Sequence, residues 1–232
     1  GSALGANTTA SNNVAVGRLS LDANTTADNN TAVGYDSLGA NTTGHSNTAV
    51  GKRALFTNAT SNNNTAIGYL ALEANTTGGN TAVGGQALQA NSTGEANVAV
   101  GQAALIANTT GSTNLALGNN AATANTTGTR NIAIGHAAYT GSDTENDNLA
   151  IGYQAMTTNT AGGTENIALG NYALDALTSG DSNTAVGINA LTANTTGSWS
   201  TAVGRNALGS NTTGVNNTAV GYDALGANTT GT

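Results

Sequence analysis

The sequence predicts an all-β fold, a parallel β-solenoid (β-roll) of about 13 coils, with 17 residues and about two short strands in each coil. The first observation is a box such as Thr-Ala-Val-Gly that recurs thirteen times at a constant interval, as at Gly17, Gly34 and Gly51, with a single shorter and a single longer interval. The second is that β-branched residues flank the Ala of each box, a composition that favours strands. The third is that such a short repeat cannot hold the helices of helical repeats, which need about 33 residues.

Each position of the repeat, counted from the Gly of the box, follows its own rule. Position −2 is Ala in all thirteen copies, −1 is Val, Ile or Leu, and −3 is Thr, Val, Leu or Ile. Leu occupies +4 in ten copies, while Asn occupies −4 in twelve copies and +7 in eleven. Such constancy predicts rows of stacked side chains, represented by Ala15, Ala32, Ala133 and Ala219 at −2, Asn30, Asn47 and Asn131 at −4, Asn24 and Asn108 at +7, and Leu38 and Leu105 at +4.

The repeat also predicts how the coils are joined. Stacked coils would lie about 4.8 Å apart, the spacing of hydrogen-bonded strands, so that thirteen of them make a rod of about 60 Å. Each Asn side chain at −4 and +7 is expected to bond to its copies above and below, as in the amide ladders of strand stacks. The Gly residues common at 0 and +10 are expected at corners with positive φ.

The charged residues mark the solvated part of each coil. All 17 lie at +1, +2, +5, +8 or between +10 and +13, and both changes of repeat length align between the +10 Gly and the next −4 Asn. Because exposed loops tolerate charge and insertions while packed strands do not, this stretch is predicted to be an exposed turn.

The box is apolar on both of its faces. No residue at −3, −2 or −1 is charged in any copy. A strand that is apolar on both faces is usually covered on both, and a thin solenoid covers only one by itself. We therefore expect the second face to contact a partner chain, with the Ala-only position allowing close backbone approach. The pattern leaves open which face points inward.

Composition excludes several classes of protein. Ala, Thr, Asn and Gly make up 150 of the 232 residues, and the chain carries a net charge of −7 with a pI near 4.3. This balance argues against nucleic acid and anionic membrane surfaces as partners. No apolar run is long enough to insert into a membrane. Residues 1–2 resemble an expression scar, and residues 3–232 are expected to be one continuous solenoid segment of a longer fibre.

Catalytic, metal and cofactor sites are not predicted. His45 and His136 lie at variable positions without a surrounding motif. The alternating acids Asp143, Glu145 and Asp147 are predicted to form a solvated turn, with a Ca²⁺ site as the alternative. The Asn-Thr-Thr triplets match the N-glycosylation sequon, but the structural repeat explains them equally well.

Exposed aromatic residues are the candidate surface contacts. They are Tyr35, Tyr69, Tyr153 and Tyr222 at +1 and Trp199 at −5. Such rings either stack on sugars or a protein receptor, or else shield the side of the solenoid and pack between chains. The Thr pairs at +8 and +9 raise ice binding as an alternative, although Ala59 and Asp143 interrupt them.

The boxes NTAVG, NVAVG and NIAIG, each followed after a short gap by AL or AA, resemble the heads of YadA-like trimeric autotransporter adhesins. The longer form NTAVGYDALGANTTG resembles repeats of phage and bacterial tail-fibre-type proteins. The resemblance spans Ala3 to Thr232 and implies a left-handed parallel β-roll assembled as a homotrimer. The period of the repeat is longer here than in the adhesin heads, and the stalk, coiled coil and membrane anchor of that family are missing from this sequence.

The expected function is structural and non-enzymatic: a fibre segment of a trimeric surface adhesin or virion attachment fibre, outside the cell, on a cell surface or on a virion. Its expected partners are copies of itself, together with a host-surface glycan or protein bound through terminal domains. The alternatives are an ice-binding solenoid and a self-polymerising extracellular filament subunit, because open solenoid ends can add head to tail.

Overall fold

The computed structural model describes residues 1–159 and 162–232, and the fold is all-β. These residues contain thirteen strands of three residues each and no helix. The strands are β1 Val14–Val16, β2 Thr31–Val33, β3 Thr48–Val50, β4 Thr65–Ile67, β5 Thr81–Val83, β6 Val98–Val100, β7 Leu115–Leu117, β8 Ile132–Ile134, β9 Leu149–Ile151, β10 Ile167–Leu169, β11 Thr184–Val186, β12 Thr201–Val203 and β13 Thr218–Val220.

The strands form a parallel solenoid in two compact units. The first unit, Gly1–Thr113, contains β1 to β6, and the second, Asn114–Thr232, contains β7 to β13. Within each unit every strand pairs in parallel with the next strand along the chain, so that equivalent residues of successive boxes face each other, as Ala32 faces Ala49. The predicted parallel β-solenoid and its repeat length are therefore confirmed.

Each coil contains one strand, so the expectation of about two strands per coil is wrong. The remaining residues follow turns, yet they still bond to the neighbouring coil through the backbone. Leu38 N donates to Ala54 O at 3.0 Å, and Thr42 N donates to Ala59 O at 2.8 Å. Successive coils are thus tied together around the coil and not only along the sheet.

Left-handed backbone conformations turn the chain where the strand stops. Residues at −5, +2 and +4 have positive φ throughout, including bulky ones such as Arg53 at 55° and Leu55 at 52°. The box Gly has a larger positive φ, for example 136° at Gly51, as expected. A non-Gly residue in this region costs about 1–2 kcal/mol, so packing must hold these residues in place.

The structure shows which face of the strand points inward. The Ala side chain at −2 is fully buried within its own coil, as at Ala49 and Ala150, together with the Leu at +4 and the Asn residues at −4 and +7. The side chains at −3 and −1 point outward, and Ile67 is 40 % exposed. The Ala-only position therefore reflects a narrow coil interior, and the predicted close approach of a partner chain at that position is wrong.

Candidate functional site

The outward strand face, formed by the −3 and −1 side chains, is the main apolar surface of the coils. Large side chains remain partly exposed on it in both units, such as Val100 at 38 % and Ile132 at 36 %. No charged residue occupies either position in any strand. Contiguous apolar surface is typical of interaction sites, so this face is the candidate contact surface.

The outward strand face differs in composition along the chain. Seven strands carry Thr at −3. Four consecutive strands of the second unit, β7 to β10, instead carry Leu or Ile at both outward positions. We call these eight side chains the Leu/Ile block: Leu115, Leu117, Ile132, Ile134, Leu149, Ile151, Ile167 and Leu169.

The Asn row at −4 joins side chain to backbone. Asn30 Oδ1 accepts from the backbone N–H of Asn47 in the next coil at 2.9 Å, and Asn30 Nδ2 donates to the Gly44 carbonyl at 2.8 Å. Asn131 follows the same pattern. The predicted amide-to-amide ladder is therefore not the regular bond at −4, because the side-chain oxygen at −4 accepts from the backbone N–H of the −4 residue in the next coil.

The Asn row at +7 does form an amide ladder. Asn41 Nδ2 donates to Asn24 Oδ1 at 3.0 Å, and Asn108 Nδ2 donates to Asn91 Oδ1 at 2.7 Å. The same nitrogen of Asn41 also donates to Gly44 O at 2.9 Å. Asn24, Asn41 and Asn108 belong to Asn-Thr-Thr triplets, and their side chains are fully buried, so the folded chain does not present these three to a glycosylating enzyme.

The Gly residues at +10 serve a different purpose from the one expected. Gly94 does not have a positive φ. A Cβ atom on Gly94 would overlap the Gly111 carbonyl of the next coil and the Asn91 side chain. Gly94 is therefore needed for lack of space rather than for conformational freedom.

Both changes of repeat length lie between +7 and +10, so their predicted place after +10 is wrong. In the short coil, Asn75 at +7 and Asn64 at −4 both donate to Thr77 O, the role that Gly at +10 has elsewhere. In the long coil, Asn159 at +7 donates to Gly163 O at 2.7 Å. Residues 160 and 161 of that coil lie outside the described residues.

The short coil interrupts the +7 amide ladder. Asn75 Nδ2 bonds to Thr77 O at 2.6 Å, and the buried Oδ1 of Asn58 has no hydrogen-bond partner. Farther along, the buried Oδ1 of Asn159 also lacks a partner, because Leu177 replaces Asn at the next +7 position. A buried unpaired carbonyl oxygen costs about 1–3 kcal/mol, so both irregular coils are local weak points.

One coil replaces three interior residues together. Tyr139, Ser142 and Glu145 stand where other coils have Leu, Asn and Gly, and all three are buried. Asn148 Nδ2 donates to the Tyr139 hydroxyl at 2.8 Å, and that hydroxyl lies 3.2 Å from Asn131 Oδ1. The Tyr139 hydroxyl thus joins the −4 row, and burial raises its pKa.

The Glu145 carboxylate is held by donors from its own turn and the next coil. Its oxygens accept from Ser142 Oγ at 2.6 Å, from the backbone N–H groups of Asp143 and Thr144, and from Gly162 N at 3.0 Å. Burial raises the pKa of Glu145, but these hydrogen bonds outweigh burial and lower it overall. The expectation that Glu145 lies in a solvated turn is wrong.

The other two acids of this run point elsewhere. Asp143 is exposed, and Asp147 pairs with Arg130 at 2.6 Å on the surface. The hydrogen bond from Arg130 lowers the pKa of Asp147. Within residues 1–159 and 162–232, no group of three or more His, Asp or Glu side chains is placed to hold a metal ion.

The candidate contact aromatics are all exposed, and several of them pair with neighbours on adjacent coils. The Arg18 guanidinium lies 6.0 Å from the Tyr35 ring, and Lys52 Nζ lies 5.9 Å from that of Tyr69. Exposure is 41 % for Tyr35, 51 % for Tyr69, 41 % for Tyr153, 70 % for Tyr222 and 62 % for Trp199.

A three-ring cluster lies on the coils that follow β8, β9 and β10. The Tyr153 ring stacks on His136 at 5.4 Å between centroids and meets the edge of Tyr172 at 5.5 Å. Tyr172 is not among the aromatic residues predicted from the sequence, because it stands at +2 rather than +1. All three side chains of the cluster remain exposed.

The Thr residues at +8 and +9 differ in how their hydroxyls are used. At +8 the hydroxyl donates to a carbonyl of the next coil, as Thr42 does to Ala59 at 3.1 Å and Thr195 to Thr212 at 3.0 Å. At +9 the side chains of Thr43 and Thr196 are exposed. The +8 hydroxyl protons are therefore committed to the backbone, which leaves one fully exposed rank of Thr instead of two.

A shallow groove of mixed polar and apolar lining lies on the second unit beside +2 and +5. Its lining includes Asn189, Thr192, Asn206, Ser210 and Asp223. It forms because Gly209 and Gly226 leave +5 without a side chain. Its amides and hydroxyls can form hydrogen bonds, but no nucleophile with an adjacent base lines it.

Comparison of the chain with protein-family models, curated proteins and solved structures found no match. Across the described part of the chain, no helix has the length and apolar character needed to cross a bilayer.

Proposed function

We propose that this chain is a structural, non-enzymatic fibre segment that assembles with identical copies as a homotrimer, on a cell surface or a virion. The observation that carries the proposal is the outward strand face, which is uncharged in every coil and partly exposed in the single chain. Burial of such a face against another chain is favourable in proportion to the apolar area removed from water.

The interior of the coils supports a mechanical role. Side chains that could carry chemistry are committed to joining one coil to the next, as in the bonds of Asn30 to Gly44 and of Asn41 to Asn24. Each coil contacts mainly its neighbours, so length can be gained by adding coils without a new core. A repeat of this kind acts as a spacer.

Copies of the same chain fit the outward strand face better than an unrelated partner. The chain carries a net charge of −7, and all of its charged residues lie at other positions of the repeat. Two copies therefore approach with least repulsion through this uncharged face. Identical coils also share one spacing, so that side chains meet at every coil. The number three and the left-handed coil rest on the resemblance to YadA-like adhesin heads.

The biological setting follows from the same resemblance. A trimeric adhesin or virion attachment fibre would hold this segment outside the cell, with a host-surface glycan or protein as the target of terminal domains. Membrane insertion and nucleic-acid binding are not part of the proposal, given the acidic composition and the outward placement of charge.

The native mass of the particle tests the proposal. Sedimentation equilibrium over a hundredfold concentration range should give three chains per particle. A monomer at all concentrations would overturn the proposal, and a monomer with thermal hysteresis would establish the ice-binding alternative. Fibres that lengthen with concentration in electron micrographs would favour the filament subunit over a closed trimer.

A pair of charge substitutions locates the contact. Val33→Lys places a cation on the outward strand face and is expected to give a folded monomer, because the interior is untouched. The matched control Thr43→Lys places the same charge at the exposed +9 position and should leave the trimer intact. Circular dichroism checks the fold of both variants. Trimers of equal stability for both would contradict the assignment of this face.

A further inference from the structure

We infer that the Leu/Ile block on β7 to β10 sets the axial register in which copies of this chain pair. The inference rests on the proposed function, because it requires that copies associate through the outward strand face. It adds which coils determine the alignment and how a shifted alignment is excluded.

The Leu/Ile block is a local change of surface chemistry within the second unit. β7 to β10 read Leu-Ala-Leu, Ile-Ala-Ile, Leu-Ala-Ile and Ile-Ala-Leu, whereas β11, β12 and β13 all read Thr-Ala-Val. The exposed fraction of Ile132 and Ile167 is 36 %, large for such apolar side chains in a folded domain. The inward Ala residues of these strands remain buried like those elsewhere. The change therefore affects the outward face of these strands and leaves their inward Ala position as it was.

The occupant of the block is a second copy of this chain. The outward face has no charge that could recognise a charged partner, and the net charge of −7 keeps copies apart at other surfaces. Another copy presents the same alternation of Leu/Ile strands and Thr strands at the same coil spacing. A second copy therefore matches the block strand by strand.

Register follows from the chemistry at −3. When identical chains are related by rotation about an axis parallel to the stack, equivalent coils meet at the same height. Leu and Ile then pack on Leu and Ile, and the Thr hydroxyls of β11 to β13 meet one another and can form hydrogen bonds. A shift by one coil places Thr184 against an apolar neighbour, where its hydroxyl loses partners. The aligned state is favoured on both counts.

The aromatic cluster lies on the same coils as the block. His136, Tyr153 and Tyr172 closely follow β8, β9 and β10 in the sequence. Tyr is enriched among the residues that contribute most to protein interfaces. This placement supports the block as the part of the face that contributes most to association.

Substitution of two block residues tests the inference. Ile132→Thr with Leu149→Thr turns β8 and β9 into Thr-Ala-Ile, the sequence that β4 already has, so the coils should fold. We expect the dissociation constant of the assembly to rise roughly tenfold or more through lost apolar burial. The matched control, Val14→Thr with Val98→Thr, changes two outward residues outside the block and should raise it by less than about threefold.

Single-cysteine variants test the alignment directly, because the chain contains no Cys. Ile134→Cys inside the block and Val203→Cys outside it should each be linked to a copy by a bifunctional thiol reagent longer than a disulfide, since equivalent residues lie at the same height along the stack. Failure of either variant to link would overturn the in-register arrangement. An antiparallel pair centred on the block, for example, would not link Val203 to its copy.

The two levels of the proposal fail in different ways. A monomeric wild-type chain would refute both the homotrimer and the register. An assembled wild type with equal weakening by the block variant and its control would refute only the role of the Leu/Ile block. Greater weakening by the block variant, together with both cross-links, supports the inference.

Discussion

Two coils of the same length fill their interiors with different side chains. The coil after β2 uses Leu38, Asn41 and Gly44 at +4, +7 and +10, and its Asn joins the amide ladder. The coil after β8 uses a Tyr, a Ser and a Glu at the same positions, and its buried groups are still hydrogen-bonded. The residues at +4, +7 and +10 therefore depend on one another. A carboxylate at +10 is tolerated only where a hydroxyl and backbone N–H groups donate to it.

The largest effect is expected at position −2, where both coils have a buried Ala. Ala133→Phe inserts a ring at −2, where the side chain is buried in a narrow interior, and overpacking should cost about 4 kcal/mol of unfolding free energy. Chemical denaturation measures it. Ile134→Phe, on the outward face of the same strand, is the control and should leave the chain folded with little loss of stability. Equal destabilisation by both would contradict the assignment of faces.

Substitutions at position +10 test whether Gly and Glu there each depend on the residues around them. Gly94→Glu puts a carboxylate where a Cβ already overlaps the next coil, and should cost about 3 kcal/mol. Glu145→Gly removes a carboxylate and leaves the Ser142 hydroxyl and several N–H groups unpaired, at about 2 kcal/mol. Thermal unfolding compares them. A stable Gly94→Glu variant would show that Glu at +10 needs no matching neighbours.

Repair of the short coil should stabilise the chain. A Ser inserted between Gly78 and Gly79 restores the regular coil length and gives Gly78 the role of +10. Asn75 Nδ2 can then donate to both Gly78 O and Asn58 Oδ1, as Asn41 Nδ2 does to Gly44 O and Asn24 Oδ1. We expect a gain of about 1 kcal/mol. The same insertion between Gly197 and Ser198 lengthens a regular coil and should give no gain. If both insertions destabilise equally, the unpaired Asn58 oxygen is not the weak point.

The smallest expected effect is a pH dependence of stability that arises from Glu145 in the coil after β8. The pKa of Glu145 is lowered in the folded state from its ordinary value of 4.5, so its contribution to stability is present above pH 4.5 and is lost as pH falls through the folded pKa. Glu145→Gln should therefore flatten the acid side of the stability curve. Arg130→Ala, which breaks only an exposed ion pair, should leave the unfolding temperature at neutral pH unchanged.

The sequence predicted the parallel solenoid, the strand in each box and the stacked rows because identity at a fixed spacing reports packing directly, but it overestimated the number of strands per coil. It could not decide which face of the box is interior, since Ala and Val are both apolar, and only the space around Ala49 distinguishes them. It also placed the length changes after +10, because Gly78 stands at +10 when counted from its own box. Thr77 O accepts the two hydrogen bonds that the +10 carbonyl accepts in regular coils. Its place in the coil, rather than its residue type, therefore decides which residue takes the +10 role.

The interior of the coil after β8 was the least predictable part of the candidate site. Acidic residues are mostly exposed, so the pattern at Asp143 to Asp147 favoured a solvated turn. Glu145 is buried because Ser142 and backbone N–H groups from two coils converge on it, a three-dimensional condition that spacing does not report. A signal was available, since Tyr139, Ser142 and Glu145 replace three otherwise regular residues in one repeat.

The left-handed residues at +2 and +4 have a consequence for how the molecule forms. A coil that holds Leu55 and Arg53 at positive φ is unfavourable until a neighbouring coil packs on it and accepts its bonds. Growth from a formed coil is therefore easier than a fresh start elsewhere, and the ordered state should advance from one nucleus like a zipper. Such templated growth suits a chain that emerges end first, because each new repeat meets a finished surface on which to fold.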